Sequence, residues 1–320
     1  MTYSKECGFF ESTNGSDRIA YYLYKPASEI RAIVQIVHGM CEYCGRYEDF
    51  ISYLCANGIM VCCHDHLGHG ASARDEEHLG YFAPARGWQY LAKDTVNLTK
   101  MIRERYPEFP YYILGHSMGS LVTRTVLAKY GFYYDGAIIM GTLNVRVGTD
   151  AGILLTRALC RLKGNFHRSH FIDELVFGLS NVKIEDPESE YSWISRDTDI
   201  VEAYEKNPLC NFHFTVRAYS DLMFLADYVS RRDWAEKIDK DLPVFICSGA
   251  EDPVGLYGRG PQAVFNALNE AGLYDIEMKL YSGARHEILN ETNRSEVYED
   301  LLLWLNNHII SASREYFIGS

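Results

Sequence analysis

The 320-residue sequence contains no run of about 18 apolar residues, so nothing in it reads as a membrane-crossing helix. Residues 1–10 lack the charged-then-apolar pattern of a secretory leader. Positive charge is scarce: 31 Lys and Arg stand against 43 Asp and Glu, a formal net charge of −12. Phosphate backbones are bound by clustered cations, so no nucleic-acid partner is expected. Repeats and low-complexity tracts are missing too. The nine cysteines are odd in number, and Cys62, Cys63 and Cys247 sit inside apolar stretches. That is no disulfide framework; reduced thiols in the cytoplasm are expected. With 47% hydrophobic and 23% charged residues, the composition is that of a soluble globular protein. The length suits one large domain or a domain carrying an insertion.

What is present is an alternation of strands and helices. Residues 9–10 and 18–24 read as paired strands around the turn Asn14-Gly15-Ser16. Apolar strands follow at 31–37, 59–63, 111–114, 137–140, 242–247 and 276–281. Helical periodicity covers 47–56, 88–106, 121–128, 261–271 and 294–310. Such alternation predicts an α/β protein with a mostly parallel, doubly wound sheet covered on both faces. Between residues 141 and 235 the alternation stops. Helical pieces at 152–162, 170–178, 199–205 and 216–229 occur there with no clear strand. The expected organisation is a core of residues 1–141 and 236–320, with 142–235 as a helical cap, or lid, over the carboxyl edge of the sheet.

The stretch around which the chain is organised is Gly115-His116-Ser117-Met118-Gly119, between an apolar strand and a helix-forming run. This Gly-x-Ser-x-Gly in strand–turn–helix context is what a nucleophile elbow requires. The glycines let strand and helix pass closely, the serine sits on strained backbone, and the helix start turns N–H groups toward any anion formed there. A serine nucleophile needs a base and an acid to orient the base. In chain order Ser, acid, His, the candidates are Ser117, Asp252 in GAEDPVG, and His286 in GARHE. Glu251 and Glu287 are rival acids; Asp-Pro fixes Asp252 more rigidly. The oxyanion hole needs two backbone N–H donors, expected from Met118 and Met40.

HGMCEYCGRY, HDHLGHGAS, LGHSMGS, GAEDPVG and GARHEILNE together resemble the α/β-hydrolase branch of monoacylglycerol lipases and bacterial lysophospholipase-like enzymes, the serine aminopeptidase S33-type hydrolases. The segment WISRDTDIVEAYEKNPLCNFHFT is similar to the cap of the bacterial members. The resemblance covers nearly the whole chain. It implies ester hydrolysis through an acyl-enzyme on Ser117, with Asp252 and His286 completing the triad and Met40 and Met118 at the oxyanion positions. A complete triad needs no metal, and no cofactor is expected. One departure stands out: the family has a small residue and then Gly before the Glu, where this chain has Met40 and Cys41, which predicts a tighter pocket at the acyl carbonyl.

Three further signals carry a bland and a sharp reading. His64, Asp65, His66 and His69 crowd like metal ligands, but a structural loop explains them. Cys41 and Cys44 form a C-x-x-C, which two ordinary thiols explain. Residues 152–171 carry Arg157, Arg161, Lys163 and Arg168 with no acid, and Leu154, Leu155, Ala158, Leu159 and Leu162 on one helical face. The bland reading is a cap helix covering the pocket, its cations meeting Glu185, Asp186, Glu188 and Glu190. The sharp one is transient contact with a membrane surface. The function expected is cleavage of a small-molecule ester or lipid, monoacylglycerol or lysophospholipid. An aminopeptidase of the same superfamily and a non-catalytic binding protein of this fold stay open as alternatives. Oligomeric state is not legible.

Overall fold

The computed structural model describes residues 3–144, 148–231 and 233–318. Eight strands form one sheet: β1 (Tyr3–Glu11), β2 (Arg18–Pro26), β3 (Ala32–Val37), β4 (Ile59–His64), β5 (Tyr111–His116), β6 (Gly136–Met140), β7 (Val244–Gly249) and β8 (Ile276–Tyr281). Their spatial order is β1-β2-β4-β3-β5-β6-β7-β8. Strands β3 to β8 are all parallel, while β1 and β2 run antiparallel at one edge. This is the α/β architecture expected from the alternation. The first strand is much longer than the pair Phe9-Phe10 suggested, because most of its residues are solvent-exposed and leave little apolar pattern to read.

The sheet is covered by α1 (Glu48–Ala56) and α9 (Arg294–Ile318) on one face, and by α2 (Gly87–Arg105), α3 (Met118–Tyr130) and α8 (Arg259–Glu270) on the other. Period-two geometry sorts the strand side chains between them. In β3, Ala32, Val34 and Ile36 pack toward Phe50 and Leu301, whereas Ile33 and Val37 pack toward Leu91 and Val122. Gln35 is the polar exception, and it is satisfied: it donates to Thr95 O at 2.9 Å and accepts from Thr99 and Tyr111 hydroxyls at 2.7 Å each.

Between β6 and β7 lie α4 (Thr149–Lys163), α5 (His170–Phe177), α6 (Thr198–Lys206) and α7 (Val216–Val229). No strand occurs there among the described residues beyond the single bridge Arg168–Thr215. The two ends of this insertion meet at Arg124 on α3, fully buried under the Trp234 ring at 4.3 Å. Its guanidinium donates to Leu143 O at 2.7 Å on the outgoing strand of chain and to Val229 O at 2.6 Å on the returning one. Among the described residues no helix is long and apolar enough to cross a membrane.

Candidate active site

Ser117 sits between β5 and α3 with φ 53° and ψ −122°, a conformation that L-residues rarely hold. The glycines around it explain how the turn is possible. A Cβ on Gly115 would lie 2.3 Å from Thr123 Oγ1, and one on Gly119 would lie 2.0 Å from Val37 O. Strand and helix pass at a distance only glycine allows. Ser117 N–H donates to Met140 O at 3.0 Å, which pins the turn to the neighbouring strand.

His286 lies in the loop after β8 and Asp252 in the loop after β7, both buried. His286 Nδ1 is 3.0 Å from Asp252 Oδ1. Asp252 also accepts from Ser248 Oγ at 3.1 Å and Val254 N–H at 2.8 Å. Burial alone would raise the Asp252 carboxyl; the charge and hydrogen bond of His286 and backbone N–H groups outweigh it and hold it below the usual value. An ionised Asp252 fixes the proton of His286 on Nδ1 and leaves Nε2 as an acceptor. The rival acids are placed elsewhere. Glu251 is exposed, and Glu287 forms a buried bidentate pair with Arg46.

Ser117 and His286 line one cavity of about 260 Å³ between the sheet edge and the insertion. Met40 borders it beside Ser117: a Cβ on the adjoining Gly39 would come 3.0 Å from Ser117 Cβ. Met118 opens α3, so its N–H belongs to the first turn, which has no intrahelical partner. Cys41 has φ 53°, which accounts physically for glycine being the easier residue here. Its Sγ donates to Phe212 O at 3.1 Å in the insertion. Burial pushes the Cys41 and Cys44 thiols well up, opposite to what a reactive C-x-x-C needs.

The insertion walls the cavity through α5 and the segment after it, not through α4. Phe177 stacks on Trp193 at 5.6 Å, and both border the cavity with Phe212 and Tyr219. Trp193 in turn lies 5.3 Å from the His286 ring. No α4 residue borders the cavity. Leu155 and Leu159 are half-buried in the core, Leu154 and Leu162 are exposed, and Gly152 lies against Met223 of α7. The expectation that this helix covers the pocket is therefore corrected: its buried side is Gly152, Ile153 and Thr156, while Leu154, Ala158 and Leu162 of the apolar stripe face solvent. Nor do its cations meet the acidic run. Arg157 lies over Phe224 and Arg168 donates to the carbonyls of Glu77, Leu79 and His213. Of that acidic run only Glu190 borders the cavity, joined on the rim by Asp173, Glu174, His170 and His213. Sequence reasoning missed these four; Asp173 and Glu174 one turn before Phe177 were the available sign.

The histidine-rich loop after β4 is buried against β3. Asp65 accepts from Cys44 and Ala71 N–H groups at 2.9 Å and from the Tyr22 hydroxyl at 3.0 Å. His69 Nε2 accepts from Cys41 N–H at 3.3 Å while Nδ1 meets Leu67 O at 3.0 Å. The loop thus braces the Met40–Cys41 turn. Burial and neighbouring His38 push His64 and His69 down to about 3. Among the described residues, the side chains spaced for a metal are Asp275, Glu277 and His308, at the opposite edge of the sheet.

The comparisons with known proteins agree with this geometry. A family model described as "Serine aminopeptidase, S33" matches residues 28–293. A monoglyceride lipase homolog of Monkeypox virus is 27% identical over 92% of this chain and 96% of its own length. The monoacylglycerol lipase of Mycolicibacterium smegmatis is 25% identical over 92% of this chain and 95% of its own. The crystal structure of a thermostable carboxyl esterase from Bacillus coagulans in complex with glycerol superposes with a TM-score of 0.89 at 32% identity, covering 96% of this chain and 99% of that one. With the family model spanning most of the sequence and the sheet, elbow and insertion in place, the chain belongs to the serine aminopeptidase S33 family of α/β-hydrolases.

Proposed function

We propose that this protein is a serine hydrolase that cleaves carboxylic esters of apolar acyl groups, monoacylglycerol or lysophospholipid, through an acyl-enzyme. The observation that carries the reading is the buried Asp252–His286 pair whose free Nε2 shares a cavity with a strained, half-buried Ser117. Ser117 Oγ attacks the ester carbonyl as His286 Nε2 takes its proton. The oxyanion is held by the N–H groups of Met40 and Met118. Collapse breaks the acyl–oxygen bond, and His286 returns the proton to the leaving alcohol. Water, activated by the same imidazole, then releases the fatty acid and restores Ser117. Asp252 keeps the imidazole in the productive tautomer throughout.

In this reading residues 142–235 are a cap over a core of residues 1–141 and 236–320. The aromatic wall of Phe177, Trp193 and Phe212 takes the acyl chain, and the polar rim meets the head group. The cap's outer surface exposes Phe171, Leu175, Leu179 and Val182, which supports transient contact with a lipid surface. The thiols fit a reducing cytoplasm: nine cysteines are free and seven of these are buried.

A second reading has one observation in its favour. Glu174 and Glu190 border the cavity and could meet a substrate amine, as in an aminopeptidase. A panel of p-nitrophenyl esters, monoacylglycerols, lysophospholipids and aminoacyl anilides separates the two. Ester turnover is expected, lost by about 10⁴-fold or more in a normally folded Ser117→Ala protein. Preference for the anilides would favour the peptidase. Failure of a fluorophosphonate probe to label Ser117 would leave a binding module.

A further inference from the structure

The residue before the nucleophile, His116, is buried at the end of β5 with both ring nitrogens against acceptors. Nδ1 lies 3.2 Å from Glu42 Oε1, and Nε2 lies 3.3 Å from the backbone carbonyl oxygen of His286. The carbonyl has no proton to give. Glu42 Oε1 also takes the Gly39 N–H and, at 2.8 Å, the Tyr47 hydroxyl, the pattern of an ionised carboxylate. A neutral imidazole carries one N–H and would turn a lone pair on one of its two partners. Only the doubly protonated ring satisfies both.

The charged groups around this ring agree. Glu42 faces it from the loop after β3, and Glu287 adds its charge from the loop after β8. Arg46 balances those carboxylates, 3.8 Å from Glu42 Oε2 and paired with Glu287. Burial would raise the Glu42 carboxyl, but the hydrogen bond and charge of His116 and the charge of Arg46 bring it down to about 2. Burial would lower His116, but Glu42 and Glu287 outweigh it and hold it up. The His116 ring centroid is 4.8 Å from that of His286, inclined at 44°. Around His286 itself stand the Asp252 carboxylate, the His116 ring and, from the insertion, the uncharged Trp193 ring.

We propose that His116 is a permanently protonated positioning residue: paired with Glu42, it clamps the backbone of His286 and sets a fixed positive charge beside the catalytic imidazole. That charge offsets the carboxylates that surround the catalytic imidazole. The same Glu42 oxygen holds the Gly39 N–H, so one ion pair fixes both the base and the oxyanion loop. The inference rests on the reading of His286 as the general base.

Two measurements test it on the full chain. Long-range ¹H–¹⁵N spectra, with the His116 signals assigned by their loss in His116→Gln, report protonation directly. Both nitrogens should stay protonated up to about pH 8, well above the ordinary histidine value of about 6.5; a neutral tautomer at about pH 7.5 to 8 overturns the proposal. In His116→Gln the acid limb of kcat/KM for p-nitrophenyl acetate should move to higher pH by ~1 unit, with the thermal midpoint showing a folded protein. A limb at the wild-type position overturns the electrostatic role. Should that variant not fold, Glu42→Gln must let the second proton of His116 leave at lower pH than in the wild type, and an unchanged titration refutes the pairing. If His286→Ala kept its turnover, the assignment of the base would fall while the spectrum of His116 still reported on the ion pair.

Discussion

The carboxyl edge of the sheet and the helical insertion above it tolerate change on opposite terms. At the edge, a Cβ would lie 2.0 Å from Val37 O at Gly119 and 2.0 Å from Arg285 O at Gly249. In the insertion, Gly148 and Gly164 have nothing within 4 Å of the same added atom. The edge buries its ionisable groups and gives most of them fixed partners. The insertion leaves Phe171 65%, Leu175 61% and Leu179 77% exposed. The difference separates two tasks. Reacting groups must be held to a fraction of an ångström, whereas an acyl chain needs only apolar surface of the right reach, which a looser element can supply.

The sharpest way to break this contrast is one substitution made in both places. Gly119→Ala is expected to cost about 4 kcal/mol or more, because backbone must move. Gly164→Ala, strained only by its φ of 91°, should cost about 1–2 kcal/mol. Urea midpoints check both, and equal losses would dissolve the distinction.

Acid should find the edge next. His64 and His69 have folded values near 3 against an ordinary 6.5, and His66 is also well below it. An unfolded chain therefore binds protons that the folded chain refuses. Stability from these groups is complete above pH 6.5 and lost as pH falls toward 3, by up to about 1.4 kcal/mol per pH unit for each histidine. His64→Phe should remove one proton from the uptake on acid unfolding; a slope unchanged by the substitution would show that His64 is not neutral in the fold.

A smaller effect, about tenfold, is expected at the wall. Phe177→Ala should lower kcat/KM for long acyl esters by that factor and leave p-nitrophenyl acetate nearly untouched. Leu159→Asp, by contrast, should harm both substrates alike, since Leu159 packs in the core and not on the cavity. Selective loss in Leu159→Asp would return α4 to the acyl path.

The least change is expected from Leu175→Ser with Leu179→Ser, within about 0.5 kcal/mol in stability. Binding to anionic vesicles at low salt should nonetheless weaken, and unchanged binding would confine this surface to solvent.

The same contrast governs what could be read from the sequence. The elbow was legible because steric necessity writes itself in residue type: Gly115 and Gly119 cannot be anything larger. Asp252 was legible because it follows the strongly apolar strand β7, and His286 because it stands in the loop after the next strand, although β8 itself is half polar. The choice between α4 and α5 was not. Amphipathic periodicity shows that a helix has an apolar face, not which neighbour covers it, and α4 turns its Gly152 side to α7 while much of its leucine face stays in solvent. Nor could spacing reveal that Glu42 and His116, 74 positions apart, meet beside Ser117. Tertiary pairing of that range leaves no local pattern.

Arg124 gives the insertion a further property, best stated in polymer terms. By bonding Leu143 O and Val229 O, one buried guanidinium closes the insertion into a loop with its two ends stitched to α3. For a loop with pinned ends, the entropy of closure grows only with the logarithm of length, about 0.6 kcal/mol for each doubling. Exposed stretches between the two ends, such as that at Gly164, can therefore lengthen or shorten at little thermodynamic expense, so long as both carbonyls still reach Arg124. A scaffold wired in this way can change the substrate it admits without reopening the question of how it folds.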